Sequence, residues 1–537
     1  MTWIPEIPDF PFDSAKVWKV VASAGCGKSF ENKRAILDLI KKRGVDPEKI
    51  MYCIFNKLPA DEFVDELRME GVPEEKIRWM GTHHSICRKL LGVKEILTGK
   101  KLIDWGKEHG FEFVKTDEDG EDGFWEDIMR SMSTKIYNGD ENFDPYERKL
   151  YSALLEEEAK TNRFTHIRYL QAALALRRLP SSIEYVFVDE AQDNGKIQFD
   201  YFEYLKSLPQ IKGMMIVGDD KQAINRFKGG RWDLFADFKA DKYVCLGKTY
   251  RNSLKILNFA NQIISPVKDR SPLTTETNVE NQGILTYYKY FEDSICDLKN
   301  ELLQKRGVYI LSRNKIFIQI ARRILANYGI PVKSKKTESI LSVFRAMRNL
   351  AIKDLFTLDD LWPILPFEES LPGQLKRTAY WKRGVLTKFM KGDYSVETEP
   401  NEKIEYENLR WGMENVDLET FDFSPKFMQD IKDTLKNKIP RDVFAGTSNN
   451  EITALENNVK LYGLEMGFVQ PSHIHPIKGG EEDTVVLLRN ITRSVADTED
   501  LYPDEERRVW YVAATRARTK IIVTELYERS GHCTKFI

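Results

Sequence analysis

A short segment near the N-terminus constrains the fold more than any other part of the chain. Residues 17–21 form an apolar run suited to a buried strand, residues 22–29 read ASAGCGKS, and residues 30–42 favour a helix. This order is typical of a phosphate-binding loop, because backbone N–H groups and the helix N-terminus then converge on the phosphates. A chance glycine-rich turn would need neither flanking element. The segment therefore predicts an α/β nucleotide-binding domain.

The residue types within this loop indicate separate roles. Gly25 and Gly27 let the backbone approach the phosphates closely, and Lys28 supplies a charge for the β- and γ-phosphates. The Ser29 hydroxyl is a predicted Mg²⁺ ligand. All eight loop residues are predicted to contact the nucleotide: Ala22, Ser23, Ala24, Gly25, Cys26, Gly27, Lys28 and Ser29.

Two further apolar runs end in polar residues suited to triphosphate hydrolysis. Residues 183–188 read as a buried strand and lead into Asp189 and Glu190. At the carboxyl end of a parallel strand, Asp189 can hold Mg²⁺ while Glu190 orients the attacking water. A single acid there could merely cap the next helix, but a pair behind so apolar a strand favours catalysis. Residues 213–217 form another predicted strand, and Gln222 beyond it could sense the γ-phosphate.

Composition describes an ordinary globular chain long enough for several domains. Of 537 residues, 42% are hydrophobic and 31% charged, with a net charge of −2. Without a basic excess, any contact with nucleic-acid phosphates must come from local patches. No apolar run is long enough to span a bilayer, and residues 1–12 do not resemble a signal peptide. The six scattered cysteines contain no CxxC pair, which argues against zinc, iron–sulfur or disulfide sites and suits a reducing cytoplasm.

Further segments resemble, in order, the motifs of the UvrD/Rep/PcrA helicases of superfamily 1A. The resemblance covers islands between about residues 16 and 526. Its additional segments are FNKLPADEF (55–63), GTHHSI (81–86), LGKTYRNS (246–253), HPIKGGE (475–481) and RRVWYVAATRA (507–517). The chain departs from the family pattern at His83, Asn225, Phe227 and His473. The family also carries a glutamine upstream of the phosphate loop that reads adenine, but this chain has no glutamine before Gln171.

The resemblance implies a DNA-stimulated ATPase that binds ATP and Mg²⁺ between two RecA-like domains. The implied catalytic residues are Lys28, Asp189, Glu190, Gln222, Arg251 and Arg516. Ser29 and Asp189 would hold the metal, and Arg251 and Arg516 would neutralise charge during phosphoryl transfer. Tyr250 would stack on adenine, and Glu481 would reach the ribose. The missing upstream glutamine leaves GTP open as an alternative nucleotide.

The resemblance also implies a track of single-stranded DNA across both motor domains. The implied strand contacts are Phe55, Asn56, Thr82, His84, Arg226, Phe227, Lys228, Arg313 and His475. The segments QAIN (222–225) and KG (478–479) resemble the 3′ to 5′ branch of the superfamily rather than the RecD/Dda-like branch. That direction is the expected one.

The islands predict two RecA-like α/β motor domains with parallel sheets, each carrying a mainly helical insertion. The first comprises residues 1–88 and 181–260 with an insertion at 89–180, in which 151–176 reads as helix. The second comprises 261–340 and 465–537 with an insertion at 341–464. Within that insertion, basic and aromatic residues interleave at 375–384, which suits either nucleic-acid contact or a basic helix face with its rings packed inward.

The expected function is therefore ATP-dependent unwinding of tailed or forked duplex DNA in a bacterial or phage-infected cytoplasm. A monomer is expected, with replication or repair proteins as partners. Two alternatives stay open at this point. One is a translocase that displaces proteins from single strands without unwinding, and the other is a non-catalytic DNA-binding scaffold. RNA also stays open as the track in place of DNA.

Overall fold

The structure is a computed structural model of the chain. It describes residues 3–4, 6–55, 57–111, 113, 127–226, 229–268, 270–271, 275–330, 332–333, 468–527 and 532–537. The predicted insertion at 341–464 and the predicted strand contacts Asn56, Phe227 and Lys228 lie outside these residues.

The strands are β1 (Trp3–Ile4), β2 (Val17–Ala22), β3 (Ile50–Ile54), β4 (Met80–Thr82), β5 (Glu95–Ile96), β6 (Arg163–Phe164), β7 (Tyr185–Val188), β8 (Gly213–Gly218), β9 (Lys242–Leu246), β10 (Lys248–Thr249), β11 (Glu276–Thr277), β12 (Ile284–Tyr290), β13 (Val308–Ser312), β14 (Val469–His473), β15 (Glu482–Leu488), β16 (Asn490–Ile491), β17 (Ala517–Glu525) and β18 (His532–Cys533).

The helices are α1 (Lys28–Leu37), α2 (Lys57–Met69), α3 (His83–Leu91), α4 (Lys100–Glu108), α5 (Asp127–Tyr137), α6 (Pro145–Thr161), α7 (His166–Ala175), α8 (Lys196–Ser207), α9 (Trp232–Asp237), α10 (Leu254–Ile264), α11 (Ile295–Leu303), α12 (Lys315–Asn327), α13 (Arg493–Leu501) and α14 (Pro503–Ala514). Short 3-10 turns and one π-helical turn (Asp38–Lys42, continuing α1) complete the list.

A seven-stranded sheet with order β1-β9-β2-β8-β7-β3-β4 forms the centre of the N-terminal part, and its neighbouring strands pair in parallel. Successive side chains of β2 enter different cores, as strand geometry requires. Trp18 and Val20 pack on the face that includes residues of α1 and α2, whereas Val17 and Val21 pack on the face that includes α3, α7 and α8. Helices on both faces explain why the central strands are mostly apolar, with the buried Lys19 of β2 as an exception.

This topology brings the predicted site segments to one edge of the sheet. The phosphate loop follows β2, Asp189 follows β7, and Gln222 lies shortly after β8. Because β2, β8 and β7 are adjacent and parallel, their carboxyl ends lie side by side, which is where open α/β sheets bind ligands.

The continuous helix predicted over residues 151–176 is wrong. Helix α6 ends at Thr161, and Asn162 adopts the left-handed conformation with φ of 57°. A side-chain amide tolerates this conformation, so asparagine terminates helices well. Strand β6 then pairs with β5 before α7 begins at His166. An apolar pattern at helical spacing on both sides of the break conceals it in the sequence.

A second sheet has five strands in the order β12-β17-β15-β13-β14, so the fold is mixed α/β with two major sheets, as predicted. The described residues divide into two compact units. The first contains the residues up to Tyr287 together with His473–Val523 and the C-terminal residues 532–537, and the second contains those between Tyr288 and Ser472 together with Thr524–Tyr527. Among the helices that the structure describes, none is long and apolar enough to cross a membrane.

Candidate active site

The phosphate loop has the backbone that its glycines predict. Gly25 and Gly27 have positive φ values of 71° and 81°, which side-chain-bearing residues rarely adopt. A Cβ added at Gly25 would lie 2.4 Å from Thr249 Oγ1, whereas one at Gly27 would meet only Phe30 Cβ, at 3.9 Å. Gly25 is therefore required for close packing and backbone conformation. Gly27 is the N-cap of α1 and leaves open space at the helix N-terminus, which fits an anionic phosphate.

Lys28 is buried and folds back over its own loop. Its Nζ donates to the Ala22 carbonyl at 3.2 Å and to the Ser23 carbonyl at 3.4 Å. An ammonium with only weak carbonyl partners in a buried site is well placed to exchange them for phosphate oxygens. The geometry fits the predicted role, which stays a prediction.

The two predicted metal ligands are in direct contact. Ser29 Oγ donates to Asp189 Oδ2 at 2.9 Å, and the Tyr52 hydroxyl donates to the same oxygen at 3.1 Å. A serine hydroxyl and a carboxylate are the hard oxygen donors that Mg²⁺ prefers, so this pair fits the ion. Burial and the neighbouring Glu190 raise the pKa of Asp189, as expected for an anionic site that a cation would complete. Sequence reasoning missed Tyr52, which lies in β3, an apolar strand like its neighbours.

Glu190 has an unusual backbone conformation. Its φ and ψ of 50° and 43° are left-handed, and a glutamate there is strained by roughly 1–2 kcal/mol. Gln192 Nε2 donates to Glu190 Oε2 at 2.5 Å, which helps fix the side chain. Burial raises the pKa of Glu190, but Lys478 and Lys28 outweigh it and hold the pKa at about 2. The carboxylate is thus ionised and able to accept a hydrogen bond from water. Strain of this kind is often found at functional sites.

Gln222 and Arg516 form one hydrogen-bonded chain although they are 294 residues apart. Arg516 Nη2 donates to Gln222 Oε1 at 3.0 Å, and Gln222 Nε2 donates to Asp219 Oδ2 at 2.6 Å. Arg516 also donates to the carbonyls of Val512 and Gly480. Burial, assisted by repulsion from Arg251, lowers the pKa of Arg516 to about 9, so the guanidinium remains charged at neutral pH.

Arg251 and Glu481 are brought together as an ion pair. Glu481 also accepts from Arg518, at 2.8 Å from Nη2, so one carboxylate contacts two guanidinium groups. Tyr250, next to Arg251, is 65% exposed, and its backbone N–H donates to the Gly25 carbonyl at 2.9 Å. An exposed ring on a residue whose backbone is hydrogen-bonded to the phosphate loop suits the predicted stacking on a base.

Sequence reasoning missed a buried lysine that joins several site segments. Lys478 Nζ forms an ion pair with Asp193, donates to the Gln222 carbonyl at 2.9 Å and lies 3.5 Å from Glu190 Oε2. Burial lowers the pKa of Lys478, but Asp193 and Glu190 reverse the shift and raise it. The sequence signals were the position of Lys478 within the 475–481 segment and the third acid of the 189–193 segment, which alone looks like a helix cap.

A second missed cluster surrounds the Ser23 hydroxyl. Lys221 Nζ donates to Ser23 Oγ at 3.3 Å, and the side chain of Tyr511 also hydrogen-bonds with Ser23. Lys221 and Tyr511 are each 1% exposed. The phosphate loop is therefore held from two other segments through one side chain.

Three of the residues predicted to contact single-stranded DNA lie at the ends of the neighbouring β-strands β3 and β4 or just beyond them. Phe55 comes directly after β3, and Thr82 ends β4, paired in register with Ile54. Thr82 Oγ1 caps α3 by accepting from the Ser85 N–H at 3.1 Å. His84, on the first turn of α3, lies 3.4 Å from the Tyr137 hydroxyl. Phe55, Thr82 and His84 are half-buried near the same edge of the sheet.

The other described residues that were predicted to contact single-stranded DNA lie in separate segments. Arg226 is exposed and ion-paired with Glu505, so a DNA phosphate would have to replace that carboxylate. His475 is half-buried in a 3-10 turn three residues before Lys478. Arg313 is half-buried directly after β13, in the second unit. The strand-binding roles of all three stay predictions.

Residues 12–171 and 163–243 match the family model described as the UvrD/REP helicase N-terminal domain. Over these residues the chain is similar to the UvrD/REP helicase N-terminal domain. The matched residues include the phosphate loop, Asp189, Glu190 and Gln222, whereas Arg251, Glu481 and Arg516 lie beyond them.

Similarity to relatives extends beyond the residues that match the family model. A probable DNA helicase II homolog from Mycoplasma capricolum is 22% identical over 605 residues, covering 94% of this chain and 82% of the relative. ATP-dependent DNA helicases PcrA from Staphylococcus epidermidis and Staphylococcus aureus are 24% and 23% identical over about half of this chain. Those matches cover 41% of each PcrA protein.

Proposed function

We propose that the chain is an ATP-dependent DNA helicase that moves 3′ to 5′ on single-stranded DNA and separates the duplex ahead of it. The observation that carries the proposal is the convergence of Ser29, Asp189, Glu190, Gln222 and Arg516 at the edge of one sheet. Their spacing in sequence reaches almost 500 residues, and every one has a side chain suited to triphosphate hydrolysis. The names and coverage of the relatives support DNA as the partner.

The residues divide the work of hydrolysis among them. The N–H groups of the phosphate loop and Lys28 bind the β- and γ-phosphates, and Ser29 with Asp189 holds Mg²⁺. When bound, the ion would neutralise part of the phosphate charge. Glu190 orients a water molecule for in-line attack on the γ-phosphorus, and the bond from that phosphorus to the β,γ-bridging oxygen breaks to leave ADP. Gln222 and Arg516, already hydrogen-bonded together, then meet the charge that develops on the γ-phosphate.

Nucleotide choice follows from what contacts the base. The exposed Tyr250 ring stacks on either purine, because stacking depends on the π-face rather than on hydrogen-bonding groups. We therefore propose that ATP is the working nucleotide and that GTP is also accepted to a measurable extent.

Unwinding of tailed duplexes tests the proposal. Duplexes with a 3′ tail, a 5′ tail or blunt ends are incubated with Mg²⁺ and either ATP or GTP, and strand release is followed by fluorescence. We expect release from the 3′-tailed duplex alone. Release only from the 5′-tailed duplex would reverse the direction. DNA-stimulated hydrolysis without release from any duplex would instead identify a translocase.

A further inference from the structure

The ion pair between Lys478 and Asp193 lies where the predicted strand-contacting segments meet the hydrolysis residues. Lys478 is 8% exposed and Asp193 is 1% exposed. An ammonium has three N–H donors, and Asp193, the Gln222 carbonyl and Glu190 lie around it. Lys478 therefore contacts the carboxylate of Glu190, which is predicted to orient the attacking water. It also contacts the backbone of Gln222, whose side chain is predicted to contact the γ-phosphate.

Both partners of the ion pair are also close in sequence or contact to the predicted DNA track. Lys478 is three residues beyond His475, and both lie on the short turn that precedes β15. On the other side, the Asn225 side chain hydrogen-bonds with Asp193. Asn225 directly precedes Arg226, so DNA that displaces Arg226 would move Asn225 and the Asp193 carboxylate bonded to it. DNA that displaces His475 would move Lys478, since only two residues separate them.

We infer that the Lys478–Asp193 pair couples single-strand binding to ATP hydrolysis, with Lys478 as a positioning residue for Glu190 and Gln222. This inference rests on the proposed function. When DNA binds at the two segments, Lys478 fixes the Glu190 carboxylate and the Gln222 backbone in the hydrolytic arrangement. Lys478 lies behind these groups and acts on the nucleotide through them. Its loss consequently affects turnover in the presence of DNA, and has little effect on the binding of ATP or DNA.

Steady-state ATPase kinetics of Lys478→Met, with and without a poly-dT oligonucleotide, test the coupling. Methionine keeps the length of the lysine stem and removes the charge. We expect DNA-stimulated kcat to fall about 10- to 100-fold, the scale on which misplaced catalytic groups act. KM for ATP and the Kd for the oligonucleotide, measured by fluorescence anisotropy, should change by less than about threefold. Lys478→Arg, which keeps the charge, should recover part of the lost stimulation.

Two further variants guard against a trivial loss of folding. Lys478→Met leaves Asp193 buried without its counter-charge, so Asp193→Asn combined with Lys478→Met provides a neutral pair that should fold and remain unstimulated. Lys135→Met is the matched control, because it removes another lysine from a buried carboxylate, Glu147, at 2.5 Å in a different part of the chain. It should retain wild-type stimulation.

Several results would overturn the coupling role. Wild-type stimulation in Lys478→Met or in the neutral double variant would do so. A parallel loss of ATP or DNA affinity would make Lys478 a binding residue instead, and an equal defect in Lys135→Met would make the effect non-specific. If wild-type protein itself shows no stimulation by DNA, the proposed function fails, and that result is separate from any property of Lys478.

Discussion

Replacing Arg516 with alanine tests the phosphoryl-transfer part of the account. Arg516 is 1% exposed, and its guanidinium donates to Gln222 Oε1 at 3.0 Å and to two backbone carbonyls. An arginine that neutralises transition-state charge is worth about 10³ to 10⁵ in kcat, or roughly 4–7 kcal/mol. The loss of kcat should therefore reach at least about 10³-fold.

The same substitution also removes structural hydrogen bonds, so stability needs separate measurement. Leaving the Val512 and Gly480 carbonyls without a donor costs about 1–3 kcal/mol each where water cannot replace it. Arg508→Ala is the matched control. Arg508 is likewise buried and lies on α14, where it donates to the Asp220 carbonyl at 3.0 Å and stacks over Trp232 at 4.7 Å.

The assay is DNA-stimulated ATP hydrolysis at saturating ATP, with urea unfolding and binding of a fluorescent ATP analogue in parallel. We expect Arg516→Ala to bind the analogue within about tenfold of wild type while turnover is nearly lost. Arg508→Ala should lose comparable stability and keep most of its turnover. If Arg516→Ala keeps more than a tenth of the wild-type kcat, or if Arg508→Ala loses as much, the assignment of Arg516 to phosphoryl transfer is incorrect.

Three further predictions concern the metal, the base and a buried histidine. Asp189→Asn should raise the Mg²⁺ concentration needed for half-maximal ATPase, and an unchanged Mg²⁺ titration would remove Asp189 from the metal site. Tyr250→Ala should raise KM for ATP roughly fivefold, since an exposed stacking contact is worth about 1 kcal/mol, and an unchanged KM would exclude stacking. Burial lowers the pKa of His83 to about 4 from 6.5, so the unfolded chain binds a proton that the folded chain does not, and stability is lost as pH falls from 6.5 towards 4. His83→Phe removes this penalty. The free energy of unfolding of the variant minus that of wild type should therefore increase by about 2 kcal/mol from pH 7.5 to pH 5. Urea titrations that give the same difference at both pH values would contradict this.

Much of the nucleotide site could be predicted because its residues follow apolar strands in a short, regular pattern. The loop after β2 and the acids after β7 stand at the ends of elements that periodicity identifies, and adjacent parallel strands bring those ends together. The contact between Ser29 and Asp189, 160 residues apart, follows from that topology. Local patterns of this kind need no knowledge of packing.

The missed residues depend on long-range packing instead. Lys478 contacts Asp193 across 285 residues of sequence, and the residues next to either one do not indicate that the two side chains form an ion pair. His83 is a polar residue in a predicted DNA-contact motif, but it packs into the core against Phe202, with ring centroids 5.7 Å apart. Among the residues that the structure describes, its Nε2 has no hydrogen-bond partner. The break at Asn162 was hidden for a different reason, because apolar spacing continues through it.

ATP hydrolysis by wild type and Lys28→Ala, each with and without single-stranded DNA, is the most direct test of a DNA-driven ATPase. The account predicts that DNA stimulates wild-type hydrolysis strongly and that Lys28→Ala shows neither basal nor stimulated turnover above background. Equal rates in the two proteins, or wild-type hydrolysis that does not respond to DNA, would contradict it.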